Sequence, residues 1–299
     1  MKNRIEQLKK EKNAVILAHY YVPSEVQEIA DFVGDSFYLA KVAKNCDADI
    51  IVFCGVKFMG ESAKLLNPEK KVLMPDLTAD CAMAHMVADG IIDEMRSKYE
   101  DLAVVCYINS TTELKCQSDV CVTSSNAVKI VKSLPNKNIF FIPDQNLGGF
   151  VAAQVPEKNM ILNNGCCPIH TKMNAQMVQQ ERKKHPSAKV LTHPECAKEV
   201  LELSDYIGST ADIISYAKKE SDTEFIICTE TGVDYRLMTD NPDKRFYYPN
   251  PHPCCTDMKL NTIPAILSVL EEETNEVTVD DAVREKAMRP LERMLELAK

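Results

Sequence analysis

Residues 163–170 read Asn-Asn-Gly-Cys-Cys-Pro-Ile-His (NNGCCPIH), and similar cysteine loops stand one period away on either side. Upstream, PDLTADCAM (75–83) carries Cys81; downstream, PNPHPCCTDM (249–258) carries Cys255. With Cys167 as the central member the intervals are 167 − 81 = 86 and 255 − 167 = 88. Each cysteine follows an apolar, strand-like run and precedes helix-like sequence. A fixed interval of this kind marks a repeated architecture.

Landmarks that contain no cysteine keep the same interval. Ala14 to Ala18 runs into His19 and Tyr21, Leu102 to Cys106 into Tyr107 and Asn109, and Ala188 to Thr192 into His193 and Glu195; the steps are 107 − 19 = 88 and 193 − 107 = 86. Gly34-Asp35-Ser36, Thr123-Ser124-Ser125 and Gly208-Ser209-Thr210 step by 124 − 36 = 88 and 209 − 124 = 85. Three sets in one order give three lobes: 1–87 with a leading helix, 88–172 and 173–258. Two helices in 259–299 pack back on the first lobe.

Within each lobe strands alternate with helices, the pattern of a parallel sheet covered on both faces. The expected fold is α/β: three pseudo-threefold-related, three-layer α-β-α lobes, each with a four-stranded parallel sheet, around a central active site. The second strand of the first lobe falls on Ile29 to Val33, where a helical reading competes. Ser110 with Glu113 has the spacing of a capping box.

Composition narrows the function classes. The net charge of −9 and a pI near 5.3 argue against a nucleic-acid groove. The N-terminus, MKNRIEQLKKEKN, is a charged amphipathic helix unlike a signal peptide, and no run approaches a membrane span. A cytoplasmic protein with no membrane or nucleic-acid partner is expected. Twelve cysteines in such a chain read as thiols, metal ligands or catalysts rather than disulfides. Cys54, Cys106 and Cys228 sit in apolar runs and read as small buried hydrophobes, and Cys46, Cys116, Cys121 and Cys196 read similarly. No CxxC pair occurs, which disfavours zinc ribbons and thioredoxin-like redox pairs.

Ligands of parallel sheets bind beyond the carboxyl ends of the strands, where His19, Tyr21, Tyr107, Asn109, His193 and Glu195 fall. A single such residue is most often a packing side chain, but recurrence at equivalent positions favours function. Ser36, Ser124, Ser209 and Thr210 stand before or at helix starts; they are helix caps or, through exposed amides and the helix dipole, sites for three anionic groups. Three converging thiolates would leave one position open on a tetrahedral zinc or a four-iron cluster. Cys166 and Cys254 adjoin two of these thiols and blur the assignment, while His85 and His170 keep a Cys/His zinc site open.

Beyond these patterns, ILAHYYVPSEVQEIADFVGDS (16–36), CAMA (81–84), YINSTTELK (107–115), TSSNAV (123–128), PDQNLG (143–148), GCCPIH (165–170), HPEC (193–196), YIGST (206–210), TETG (229–232) and CxxMKxNT (255–262) resemble the quinolinate synthase family over essentially the whole chain. The resemblance implies a [4Fe–4S] cluster on Cys81, Cys167 and Cys255 with one open iron acting as a Lewis acid. It further implies condensation of iminoaspartate with dihydroxyacetone phosphate to quinolinate, with loss of phosphate and water, and functional coupling to an iminoaspartate-producing oxidase. These substrates bring one phosphate and two carboxylates for Ser36, Ser124, Ser209 and Thr210. Tyr21 and Glu195 would move protons, with His19, His193 and Tyr107 as further catalytic residues and Asn109 orienting substrate. An unperturbed tyrosine, with a pKa of about 10, is only about 0.1% phenolate at pH 7, so Tyr21 would need help to act as a base. Two other readings stand beside this one: a three-lobed sensor with a structural metal, and an iron–sulfur hydratase of another metabolite. A radical enzyme is disfavoured, because no CxxxCxxC occurs.

Overall fold

The computed structural model describes residues 1–299. Twelve strands form three four-stranded sheets of one order. In the first, β1 (Ala14–His19), β2 (Phe32–Gly34), β3 (Ile50–Cys54) and β4 (Lys71–Leu73) run β2-β1-β3-β4. The second holds β5 (Leu102–Tyr107), β6 (Val120–Val122), β7 (Asn138–Ile142) and β8 (Asn159–Leu162) as β6-β5-β7-β8. The third holds β9 (Lys189–Thr192), β10 (Tyr206–Ile207), β11 (Glu224–Cys228) and β12 (Arg245–Tyr247) as β10-β9-β11-β12. The pairings are parallel, as in β1 on β3, where Ala14 faces Ile50 and Ala18 faces Cys54. The inner strands read as unbroken apolar runs because helices cover both faces. All five residues of β3 and all six of β5 are buried.

Two polar devices recur with the sheets. Asp31 Oδ2 accepts a hydrogen bond from the N–H of Ile16 at 2.8 Å, Asp119 Oδ2 from Val104 at 2.7 Å, and Asp205 Oδ2 from Val190 at 2.8 Å. The backbone N–H of each aspartate returns a bond to the carbonyl of the same residue. The aspartate therefore ties the entry of the second strand to the first strand and sets their register. Lys158 Nζ donates to the carbonyls of Leu134 and Asn136 at 2.5 and 2.9 Å, and Lys244 Nζ to those of Ala217 and Glu220 at 2.6 Å each. Lys70 does the same to Cys46. These ammonium groups satisfy carbonyls at or just beyond helix C-termini and complement the helix dipole.

The chain divides into two compact units. One comprises 1–85, 104–123 and 256–299; the other comprises 86–103 and 124–255. In the first unit, helix Ile263–Glu272 packs on the N-terminal helix Lys2–Glu11, and helix Asp281–Leu297 packs on helices Lys57–Leu66 and Thr112–Cys116 and on β6. Asn261, fully buried, accepts from the Gly55 N–H at 3.1 Å and donates to the Gly55 carbonyl at 3.0 Å, pinning the chain beyond Cys255 to the end of β3. No helix is long and apolar enough to cross a membrane.

Local readings shift in two places. Ile29 closes helix Ser24–Ile29 and the second strand begins only at Phe32, because Asp31 must face Ile16 at the strand entry. Thr111, not Ser110, caps helix Thr112–Cys116, accepting from the Leu114 N–H at 3.4 Å.

The aspartate clamp generates a stability prediction. Asp119→Ala and Asp205→Ala should each cost about 1–3 kcal/mol by removing the partner of a strand N–H. Urea unfolding checks this, and changes below about 0.5 kcal/mol, the usual range of inert surface substitutions, would reject the clamp.

Candidate active site

In the first unit the residues beyond β1 and β5 are held by short-range bonds. Buried His19 ends β1, and its Nδ1 accepts the N–H of Tyr21 at 3.2 Å, which makes Nε2 the protonated, donating nitrogen. The two rings meet edge to face with centroids 4.6 Å apart. Lys259 Nζ donates to the Tyr21 carbonyl at 2.5 Å. Tyr107 ends β5 and is buried. Two residues on, Asn109 Oδ1 is inaccessible to solvent and has no hydrogen-bond partner in the protein, the condition of a group waiting for a ligand donor. Ser36 is the first residue of helix Ser36–Asn45, but Asp35 caps it, accepting from the Tyr38 N–H at 2.8 Å, so the hydroxyl of Ser36 is not the cap.

Cys81 lies half-buried after β4. Asp80 Oδ1 accepts the Cys81 N–H at 2.7 Å, and Asp80 Oδ2 lies 2.9 Å from His85 Nε2. His85 is thereby engaged at the surface by its own loop.

The second unit holds a buried polar network. His170 Nδ1 lies 2.8 Å from Glu195 Oε2 and 3.2 Å from Cys167 Sγ, while Nε2 lies 2.9 Å from Thr229 Oγ1. The His170 and His193 rings face each other at 4.9 Å. His193 repeats the arrangement of His19: its Nδ1 accepts the N–H of the residue two places on, Glu195, at 3.3 Å. Its Nε2–H therefore donates to Ser124 Oγ, 3.2 Å away, and leaves the Ser124 hydroxyl hydrogen free to point at an acceptor. Burial pushes the His193 pKa down to about 3, and nearby His170 pushes the same way against the opposing pull of Glu195. Fully buried Asp144 caps helix Gln145–Gln154 through bonds from Asn146 and Leu147 to Oδ1. Burial, and then the charge of Glu195, raises its carboxyl well above the usual range. Asn146 Nδ2 donates to the Glu195 carbonyl at 3.0 Å.

The helix-start residues divide by environment. Ser209 caps helix Thr210–Lys219 in a capping box, its hydroxyl donating to Asp212 Oδ2 at 2.6 Å and accepting the Asp212 N–H at 3.2 Å. Thr210 is the first helical residue. Ser124 precedes helix Ala127–Ser133 by three positions and does not cap it; its hydroxyl pairs with His193.

The cysteine loops of this unit are clamped by acids and by close packing. Gly165 approaches so near that a Cβ would lie 2.6 Å from the Pro143 carbonyl oxygen, so no larger residue fits before Cys166 and Cys167. Glu230, buried, accepts the N–H of Cys255 at 3.0 Å and that of Gly232 at 2.6 Å. None of the twelve cysteines is in a disulfide. Cys54, Cys106, Cys121, Cys196 and Cys228 are buried, Cys81, Cys167 and Cys255 partly accessible, as are Cys46, Cys116 and Cys166, and Cys254 exposed.

Asp144, Asn146, Thr229 and Glu230 are network members that spacing alone does not single out, although PDQNLG and TETG contain them. His170 enters as a partner of Glu195, a contact across 25 positions that no local pattern announces.

The depressed His193 pKa sets a pH dependence. An imidazole that titrates near 6.5 when unfolded must fold neutral, so its contribution to stability is whole above pH 6.5 and is lost as pH falls toward about 3. The loss is at most about 1.4 kcal/mol per pH unit. Urea unfolding between pH 4.5 and 7.5 should show a slope about one proton shallower in His193→Gln than in the parent. Equal slopes would mean that His193 is protonated in the folded protein.

The profile described as Quinolinate synthetase A protein matches residues 3–296. A quinolinate synthase of Fusobacterium nucleatum is 53% identical over 298 residues, covering 100% of this chain and 99% of the relative. That of Clostridioides difficile is 50% identical over 295 residues, 99% of this chain and 97% of the relative, and that of Aquifex aeolicus 48% over 304 residues, 100% and 94%. With the match running from end to end at about half identity, the chain belongs to the quinolinate synthetase A family.

Proposed function

We propose that the protein is a cytoplasmic quinolinate synthase that condenses iminoaspartate with dihydroxyacetone phosphate, releasing phosphate and water, and that it is served by an iminoaspartate-producing oxidase. The observation that supports this beyond family membership is the recurrence of a cysteine loop after the fourth strand of each of three identically ordered sheets, carrying Cys81, Cys167 and Cys255. Cys81, Cys167 and Cys255 are our choice of ligands for a [4Fe–4S] cluster. Their chemistry suits such a group: none of the three is in a disulfide, and acidic side chains fix the backbone of Cys81 and Cys255, which braces both loops. When bound, the cluster supplies a Lewis acid at its open iron.

The remaining roles follow from the hydrogen-bond polarity of the side chains. His19 presents Nε2–H as a donor, and Ser124, already accepting from His193, presents its own O–H; both suit carboxylate or phosphate oxygens. Asn109 Oδ1, without a protein partner, suits a substrate N–H or O–H. Ser36 and Thr210 offer hydroxyls beside helix starts. Ser209, whose hydroxyl Asp212 engages in both directions, contributes by fixing the helix start that carries Thr210. Glu195 holds a proton in common with His170 Nδ1, a pairing that lets it accept or return a proton without exposure to water. Tyr21 is the second acid/base, and Tyr107 the wall that orients substrate. His193, kept neutral by burial, aligns the Ser124 hydroxyl through its Nε2–H.

Anaerobic reconstitution with iron and sulfide, followed by an assay for quinolinate from the two substrates, tests the reading. Cys81→Ser, Cys167→Ser and Cys255→Ser should each lose the brown chromophore. Full iron content in Cys167→Ser with loss in Cys166→Ser would move the central ligand by one residue. Tyr21→Phe and Glu195→Gln should keep cluster and fold yet lose about 100-fold or more in turnover. Activity within a few-fold of the parent would reduce both to cavity lining. Ser124→Ala should weaken substrate binding more than folding; the opposite balance would return it to a structural role.

A further inference from the structure

Cys167, His170 and Glu195 place one sulfur, one ring nitrogen and one carboxylate oxygen within 4.8 Å of one another. From this geometry we propose that the cluster-free protein binds a single zinc ion at these three side chains, a mononuclear site contained in the second compact unit and distinct from any set of three cysteines. A tetrahedral zinc ion with ordinary bond lengths holds sulfur and nitrogen about 3.6 Å apart and nitrogen and oxygen about 3.3 Å apart. The observed separations, 3.2 Å from Cys167 Sγ to His170 Nδ1 and 2.8 Å from Nδ1 to Glu195 Oε2, are a few tenths of an ångström shorter. The ion would take the place of the hydrogen between Nδ1 and Oε2, with the three ligand atoms moving apart by a few tenths of an ångström.

The surroundings are those of a metal site. His170 and Glu195 are buried, so their ligand atoms are held by packing rather than by solvent. Thr229 Oγ1, 2.9 Å from His170 Nε2, accepts the Nε2–H once Nδ1 carries the metal, fixing ring and tautomer as an outer partner of a ligating histidine does. The Asn146 amide holds the Glu195 backbone by donating to its carbonyl at 3.0 Å. Cys167 is partly accessible, the one member of the triad that solvent reaches appreciably, and the fourth ligand would be water. One thiolate, one imidazole and one carboxylate form a borderline donor set, suited to zinc over calcium or magnesium.

The consequence rests on the proposed role of Cys167 in the cluster: zinc would then occupy one cluster ligand and hold the protein in a cluster-free state. The zinc site itself does not depend on that reading. Full-length protein, purified anaerobically without cluster under reducing conditions, is loaded with one equivalent of zinc and studied by X-ray absorption at the zinc edge. One sulfur and three nitrogen or oxygen scatterers are expected; two or three sulfurs, or zinc lost on desalting, would overturn the proposal. This measurement needs no variant. Titration with cobalt(II) should give a tetrahedral spectrum with one thiolate charge-transfer band. Binding should weaken by about 100-fold or more in His170→Ala and Glu195→Gln, by about 10-fold in Thr229→Val, and by less than about threefold in Cys81→Ser and Cys255→Ser. Circular dichroism confirms that each variant is folded. Loss of cobalt binding in Cys81→Ser or Cys255→Ser would transfer the metal to a cysteine set and defeat this inference while leaving the cluster reading intact. Failure of the metal-free parent to assemble a cluster would defeat only the latter.

Discussion

The fold depends on one bond made three times: an aspartate carboxylate at the entry of the second strand holding an N–H of the first. A parallel pair has no tight turn to fix its register, and a slip of one residue would turn every side chain to the opposite face. By closing that register from Asp31, Asp119 and Asp205, the chain determines which residues emerge at the carboxyl ends of β1, β5 and β9. His19, Tyr107 and His193 are the residues delivered there or immediately beyond. The lysine bonds to helix-end carbonyls do the corresponding work before the fourth strand, from which each cysteine loop departs.

Once the strands are fixed, the chemistry of the second unit is a problem of buried charge. Asp144, His170, His193 and Glu195 are all buried, and isolated ionised groups in such surroundings are unstable. The chain resolves this by sharing protons: His170 bridges toward Glu195 and Cys167, His193 stays neutral, and Asp144 is driven toward its protonated form. An apolar core of similar volume would fold as well or better, since ion pairs taken out of water rarely repay their desolvation. Retention of four titratable groups in one buried region, two of them with strongly shifted pKa values, is therefore the mark of a working site.

Much of this was legible in the sequence because it rests on local patterns. Short apolar runs bounded by turn residues locate the strands with one exception, and the spacing of His19, Tyr107 and His193 reveals the repeat. The exception, at Ile29, failed because a helix and a short strand meet within three residues there. The register aspartates and capping lysines keep the same period yet look like ordinary surface charge, since nothing in a carboxylate's neighbours says that it faces a strand N–H fifteen positions earlier. Ser124 reads equally as a helix cap or an anion site, because serine before a helix is usually a cap; its bond to His193 spans 69 positions and is invisible locally. His170 carried only its spacing from Cys167, because Glu195 and Thr229 reach it through the tertiary fold.

The central claim is that each lobe gives one thiol to a single cluster, leaving one iron without a protein sulfur. Mössbauer spectroscopy of protein reconstituted with iron-57 measures this most directly. The account predicts three similar iron sites and one distinct site whose parameters change when dihydroxyacetone phosphate and iminoaspartate are added. Four equivalent sites, unmoved by substrate, would contradict it and require a fourth cysteine ligand.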